Sequence, residues 1–408
     1  MRLHQIGKEV ISVLENHGHQ AYFVGGFVRD WLLNRPIHDV DICTSALPEE
    51  VIKLFAHVIP TGLRHGTVTV LFEGVPVEVT TFRTEEGVMD YRHPSSVSFV
   101  SSLEEDLKRR DFTINALAMD RDDRIYDYHC GQDHLQNKLI LTVGSPAERF
   151  HEDALRMLRA IRFSAQLNFN LTEDVIYSIQ QEKELLAHIS MERITMEWQK
   201  MMEATYPSQA FKYILATKLH HSILPFHLIK EHIERAQLHV LDQLRPIERW
   251  AYLLSCVKEN RHNAEKFIKT LRLDNKRKKE ILFFVNKLHE YNHVLYLSNL
   301  SAYDLYLLGS DLTFSILKMN QLTRNGSISL SVRQEIDQWY EKLPIKNKRE
   351  LALKGDEIAK VLDRNKGKWL TEMIHHLEKA VVNGQVDNNK ESLTHYLTSI
   401  KDLEDEHS

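Results

Sequence analysis

The stretch FVGGFVRDWLLNRPIHDVDI, residues 23–42, decides the fold. Its first residues close a short apolar run, 21–24, that reads as a buried strand, and residues 27–33 read as a helix. Gly25 and Gly26 fall at the turn between the two, with Arg29 and Asp30 just inside the helix. Lacking a Cβ, glycine lets a phosphate approach the backbone N–H groups at the helix start, where donors are unpaired. Arg29, one turn in, can reach the same phosphates. Gly26 and Arg29 are therefore candidate triphosphate ligands.

Residues 38–43 read as a second strand. Side chains alternate along a strand, so Asp39 and Asp41 share one face while Val40 and Ile42 face the core. Two neighbouring carboxylates repel each other unless a cation lies between them. Hard oxygen ligands suit Mg²⁺ held partly by substrate phosphates. Two such ions can activate an attacking hydroxyl and stabilise a leaving pyrophosphate. Neither Gly-Gly nor Asp-x-Asp is distinctive alone. In strand–turn–helix–strand order they mark a nucleotidyl-transfer site.

GGFVRD followed by DVD resembles the nucleotidyltransferase superfamily that includes DNA polymerase beta. The longer match runs through RRDFTINALAMD (109–120) and HEDALRMLRAIRF (151–163). It resembles the class II, bacterial-type tRNA nucleotidyltransferases, the CCA-adding enzymes. The resemblance implies an α+β N-terminal nucleotidyltransferase head, a small mixed sheet with helices, followed by an all-α neck, body and tail. The implied divisions are a catalytic head over 1–144, a base-recognising neck over 145–205, a body over 206–320 and a tRNA-binding tail over 321–408. The implied reaction is template-independent addition of C, C and A to the 3′ end of tRNA from CTP and ATP, with release of pyrophosphate and two Mg²⁺ ions. A bacterial poly(A) polymerase shares nearly the same head motifs, and a split CC- or A-adding enzyme is a third reading. The intact Asp39 and Asp41 disfavour a non-catalytic RNA-binding protein.

Composition sets outer bounds. A chain of 408 residues exceeds one ordinary core, so two or more domains are expected. Hydrophobic residues at 43% and charged residues at 27% are those of a soluble globular protein. Cys43, Cys130 and Cys256 lie far apart without a C-x-x-C pair, which argues against a disulfide framework or a zinc site and fits a reducing cytoplasm. No apolar run reaches signal or membrane-spanning length, so no membrane partner is expected. With a net charge of −5, a nucleic-acid partner needs localised basic patches.

Along the chain, Leu3, Ile6, Val10, Val13 and Leu14 fall at helical spacing over 3–17. A helix is expected over 51–55. The β-branched runs 67–71 and 75–81, joined by Glu73-Gly74, read as a hairpin beside the Asp strand. Glu78 lies on its second strand, and the superfamily resemblance makes it the candidate third carboxylate. The polar stretch 84–98 reads as a long loop, of the kind that in a compact domain is usually either functional or disordered. Asp90, Tyr91 and Arg92 resemble the charged part of the family's flexible loop, associated with adding the final adenosine. Residues 112–119 read as an apolar helix. Ahead of it, Arg110 matches the nucleotide-contacting arginine of the family's R-R-D motif, with Asp111 expected to orient it.

Asp153 and Arg156 are three apart and are expected to share a helix face, continued by Arg159 and Arg162. The residue pattern alone favours an i,i+3 salt bridge on a basic helix. The chemistry offers more. A carboxylate only accepts hydrogen bonds and a guanidinium only donates them. Together they complement a base edge with an amino group beside an unprotonated ring nitrogen, which cytosine and adenine present and guanine and uracil do not. The family's E-D-x-x-R motif carries this role, and Glu152, Asp153 and Arg156 match it. Arg159 and Arg162 are positioned for triphosphate or for helix packing, and Met191-Glu192-Arg193-Ile194 resembles a motif that braces the base-reading helix.

From 190 onward the chain reads as all-helical. Two basic clusters stand out, Lys276-Arg277-Lys278-Lys279 and a run from 342 to 368 that includes Lys346, Lys348 and Arg349. In a net acidic chain they suggest a surface for the backbone of duplex RNA. Expected partners are tRNA and nucleoside triphosphates, the protein being a monomer or homodimer.

Overall fold

Alternating β-branched residues and two close helix contacts build the N-terminal sheet. The computed structural model describes residues 2–86, 96–257, 261–291, 295–324 and 326–405. The first elements are α1 (Arg2–Asn16), β1 (Ala21–Val24), α2 (Gly26–Leu32), β2 (Val40–Thr44), α3 (Pro48–Leu54) and β3 (Val58–Gly62). Then follow β4 (Thr67–Phe72), β5 (Val75–Thr81), β6 (Arg83–Glu86), β7 (Ser96–Phe99), α4 (Leu103–Lys108), β8 (Leu117–Met119) and β9 (Ile125–Asp127). Seven of these strands form one mixed sheet in the order β3-β4-β5-β2-β1-β8-β9, with β2 and β5 parallel and the other neighbours antiparallel.

The expected hairpin is β4–β5. Glu73 and Gly74, with φ of 49° and 76°, make the left-handed two-residue turn that matches strand twist. In α1, Ile6, Val10, Ile11 and Leu14 are buried, as their spacing requires. Gly7 lets α1 close on the sheet, since a Cβ there would meet the Phe23 ring at 2.1 Å. The opposite face is covered by α4, whose Leu103 and Leu107 pack with Val24, Cys43, Phe82 and Ala118.

Two expectations are corrected. Residues 112–119 are not a helix but a 3-10 turn, Thr113–Asn115, leading into β8, which pairs with both β1 and β9. A short apolar run does not tell a buried strand from a buried helix, and the open edge of β1 decides it. The stretch 84–98 is a loop only in part, because β6 and β7 pair antiparallel at its ends.

Helices follow: α5 (Gly131–Gln136), α6 (Pro146–Glu152), α7 (Leu155–Leu167), α8 (Glu173–Glu182), α9 (Met191–Glu203), α10 (Pro207–Thr217) and α11 (Lys230–Arg235). Trp198 of α9 is buried edge-on against Phe211 and Phe226, at 5.4 and 4.4 Å between ring centroids. The apolar stripes of α9 and α10 are thus core.

The chain divides into two compact units, Met1–Lys278 and Lys279–Ser408. The second is helical, with its longest helix, Ala302–Leu322, interrupted at Gly309 (φ 73°, ψ 165°). Inside it the Tyr306 hydroxyl donates to the buried Glu378 carboxylate at 2.6 Å. Among the described residues, no helix is long and apolar enough to cross a membrane.

Candidate nucleotidyl-transfer site

The turn between β1 and α2 sets the site. Gly25 has φ 65° and ψ −131°, a conformation that glycine alone adopts without strain. A Cβ there would lie 3.3 Å from the Arg110 guanidinium and 3.9 Å from the Asp41 carboxylate. Gly25, Arg110 and Asp41, distant in sequence, therefore converge. They line an open cleft of about 570 Å³ with Gly26, Arg29, Asp153 and Arg156.

Arg29 is buried in the cleft wall. Its guanidinium donates to both Asp30 oxygens, at 3.0 and 2.9 Å, and to Asn115 Oδ1 at 2.8 Å. It also faces the Phe163 ring at 5.2 Å, which Arg159 and Arg162 approach at 5.6 and 3.9 Å. One phenyl thus spaces three guanidinium groups that repel one another. Arg162 is held by Glu197 at 2.6 Å and by Gln166 at 2.7 Å, so it serves packing as well as lining the cleft.

The expected Asp111–Arg110 contact is corrected. Arg110 Nη2 donates to Asp106 at 3.2 Å, and Arg109 donates to the same carboxylate at 3.0 and 2.8 Å. Asp106 lies one helical turn before both arginines, so i,i+3 and i,i+4 geometry within α4 and its cap wins. Burial alone would raise the Asp106 carboxyl, but the Arg110 and Arg109 charges hold it below the usual range. The buried Nε of Arg110 has no hydrogen-bond partner among the described residues. A bound phosphate oxygen would satisfy it. Asp111 instead grips Arg159 at 2.8 and 2.5 Å and accepts from Asn115 at 3.2 Å. Burial pushes the Asp111 carboxyl up, but the Arg159 charge and hydrogen bonds, helped by Arg156 and Asn115, hold it at about 2.

The shared helix face of Asp153 and Arg156 is also corrected. The chain breaks at Asp153, which is extended (φ −148°, ψ 102°) between α6 and α7. Its carboxylate accepts from the start of α7, Leu155 N at 3.1 Å, in the manner of a helix cap. Arg193 of α9 grips both of its oxygens, at 3.1 and 2.7 Å. Arg156 is tied to Glu152 and to the carbonyl oxygens of Arg149 and Arg109. The two side chains still reach one cleft, but each is aimed by its own partner and not by the other.

Parallel pairing of β2 with β5 sets Asp41 directly beside Glu78. Asp39, just ahead of β2, and Glu78 are exposed and stand outside the cleft lining. Burial, then the Glu78 charge, raises the Asp41 carboxyl to about 6 against the pull of Arg110, with Asp39 adding to the rise. Carboxylates pressed together this way are a donor set for a divalent cation, and Mg²⁺ fits their all-oxygen chemistry.

Asp90, Tyr91 and Arg92 lie outside the described residues. In the second unit, Lys348 and Arg349 are exposed on the 3-10 turn Lys348–Glu350, while Lys346 Nζ donates to the Glu341 carbonyl at 2.9 Å. In the first unit, Arg277 pairs with Glu203 at 2.9 Å. Asp106, Asn115 and Phe163 escaped the sequence reading. Only Asp106 carried a signal, its spacing from Arg109 and Arg110.

Three family models match: "Poly A polymerase head domain" over 21–141, "Probable RNA and SrmB- binding site of polymerase A" over 168–229, and "tRNA nucleotidyltransferase domain 2 putative" over 245–397. The chain is 40% identical over 390 residues to the CCA-adding enzyme of Bacillus cytotoxicus, covering 94% of this chain and 95% of that protein. It is 39% identical to that of Bacillus subtilis over 389 residues, covering 95% and 96%. The crystal structure of the Bacillus stearothermophilus CCA-adding enzyme in complex with CTP matches with a TM-score of 0.86 and 35% identity, covering 100% of both chains.

Proposed function

We propose the following reading from the premise that this chain belongs to the family of CCA-adding enzymes, the bacterial-type tRNA nucleotidyltransferases. The protein adds C, C and A to the 3′ end of tRNA from CTP and ATP without a nucleic-acid template. The tRNA 3′-hydroxyl attacks the α-phosphorus, the bond to the bridging oxygen breaks, and pyrophosphate leaves. Both substrates fit a cytoplasmic enzyme. The finer division is head 1–144, neck 145–205, body 206–320 and tail 321–408, with the body running across the boundary between the two units at Lys278.

Gly26 and its neighbour Gly25 present backbone N–H groups to the triphosphate, and Arg29 and Arg110 neutralise it. Arg159, tethered to Asp111, extends that cradle. Asp39 and Asp41 hold Mg²⁺, with Glu78 as third carboxylate. When bound there, two such ions activate the attacking hydroxyl and offset charge on the leaving pyrophosphate. Asp153 accepts from the exocyclic amino group of C or A, and Arg156 donates to the adjacent ring nitrogen. Arg193 and Glu152 hold this pair in place before the base arrives, which is what strong polar discrimination requires. Lys346, Lys348 and Arg349 contact the tRNA backbone.

The observation that carries this reading is that an acceptor-only and a donor-only side chain, separately anchored, line the same cleft as Gly25, Arg110 and Asp41. The test is incubation with tRNA lacking its terminus and each nucleoside triphosphate, reading product lengths. Stopping after C, C and A is expected. Long A tails on generic RNA would favour a poly(A) polymerase, and arrest after CC, or A addition only to tRNA ending in CC, a split enzyme.

A further inference from the structure

Away from the cleft, α10 ends at Lys218, whose φ of 54° turns the chain into the short 3-10 segment Leu219–His221. That turn sets two consecutive histidines against Glu234 of α11. His221 Nε2 lies 3.2 Å and His220 Nε2 3.5 Å from one oxygen, Glu234 Oε1. All three ligand atoms lie within 4.8 Å of one another, the only such trio among the described residues.

His220 is 1% exposed, and both of its ring nitrogens face acceptors: Nδ1 the Ile214 carbonyl at 3.3 Å, Nε2 the Glu234 carboxylate. A neutral imidazole has a single N–H. Whichever nitrogen carries it, the other turns a lone pair toward an oxygen. A second proton would resolve this only by charging a buried ring. A metal ion at Nε2 resolves it too, leaving Nδ1–H to the Ile214 carbonyl, which is how metal-ligating histidines are commonly oriented.

The spacing suits one ion. Tetrahedral ligands at Zn–N and Zn–O lengths of 2.0–2.1 Å stand roughly 3.3 Å apart. Two imidazoles and one carboxylate favour Zn²⁺ over Mg²⁺. The side chains of His221 and Glu234 are 44% and 46% exposed, so a fourth position opens to solvent. We propose that His220, His221 and Glu234 form a zinc-binding site that staples the turn after α10 to α11, distinct from the carboxylates of the nucleotidyl-transfer site. Cysteine spacing is blind to such a site because none of its ligands is a cysteine.

The test uses the full chain, stripped with a chelator and titrated with ZnCl₂ in excess Mg²⁺, which occupies Asp39 and Asp41. Bound zinc is read by elemental analysis, and geometry by the visible absorption of Co²⁺ in its place. Wild type should bind one more equivalent than His221→Ala or Glu234→Gln, each at least about tenfold weaker, since even outer-shell partners carry that much. Both variants alter half-exposed side chains, and circular dichroism checks that they are folded. Zinc should raise the melting temperature of wild type only. Equal zinc in all three proteins would overturn the proposal. So would a His220 ring that NMR shows protonated at neutral pH and unmoved by zinc.

Discussion

Arg193 grips Asp153 through two parallel hydrogen bonds, 3.1 and 2.7 Å, joining α9 to the break between α6 and α7. A guanidinium–carboxylate fork fixes both the position and the plane of the carboxylate. On the proposed assignment of Asp153 to the base, Arg193 is a positioning residue, one step removed from the base.

Asp153→Ala should relax nucleotide choice more than it slows chemistry at saturating CTP. Arg156 remains and can donate to the uracil carbonyl, so UMP incorporation should rise relative to CMP. A contact with a charged group is worth about 1.5–3 kcal/mol, or roughly ten- to a hundredfold in the CTP-to-UTP ratio of kcat/KM. Arg193→Ala should move the same ratio in the same direction, with partial rescue by Arg193→Lys. An unchanged ratio in Asp153→Ala would leave that carboxylate only its cap to α7.

Asp41 carries a carboxyl raised to about 6 from an ordinary 3.8. Its proton is bound more tightly in the folded chain than in the unfolded one. Its stabilising contribution is full below the unfolded value and is lost as pH rises through about 6. At neutral pH the ionised group is a cost, on the order of 1–3 kcal/mol at 1.36 kcal/mol per unit. Metal-free Asp41→Asn should therefore be more stable than wild type at pH 7.5, with the gap closing below pH 5, while incorporation is abolished. Denaturation in chelator at both pH values measures this. A variant less stable than wild type at pH 7.5 would mean that the carboxylate is satisfied without a cation.

Asp111 runs the other way. Its carboxyl is held at about 2, so its contribution is present above the unfolded value and lost as pH falls through 2. Asp111→Asn leaves Arg159 without its anion and should cost about 1.5–3 kcal/mol at pH 7. Urea denaturation should show the gap narrowing as pH falls from 4 toward 2. A gap that ignores pH would assign the loss to packing.

Neutralising Lys346, Lys348 and Arg349 together should weaken tRNA binding and flatten its salt dependence. Removing one cation from a phosphate lowers the log–log slope by roughly 0.7–0.9. Lys346 is partly engaged with Glu341, so Lys348 and Arg349 should carry most of the change. An unchanged slope would make the cluster a solvated surface.

Residues 23–42 determined the turn and the two strands around it, because each rests on contacts within a few residues; β2 begins only at Val40, which leaves Asp39 outside the strand expected over 38–43. Gly25 needs a left-handed φ, and strand alternation follows from the pleat. The side-chain pairings were decided elsewhere. Asp111 turned to Arg159 and Arg110 to Asp106, and Asp153 found Arg193, because a buried charge takes whichever partner the packed helices bring within reach. Residues 112–119 became 3-10 turn and strand for the same kind of reason: an unpaired edge of β1 needed hydrogen bonds that a helix could not supply. Local chemistry wrote the motif into the chain, and long-range packing settled where each charge in it points.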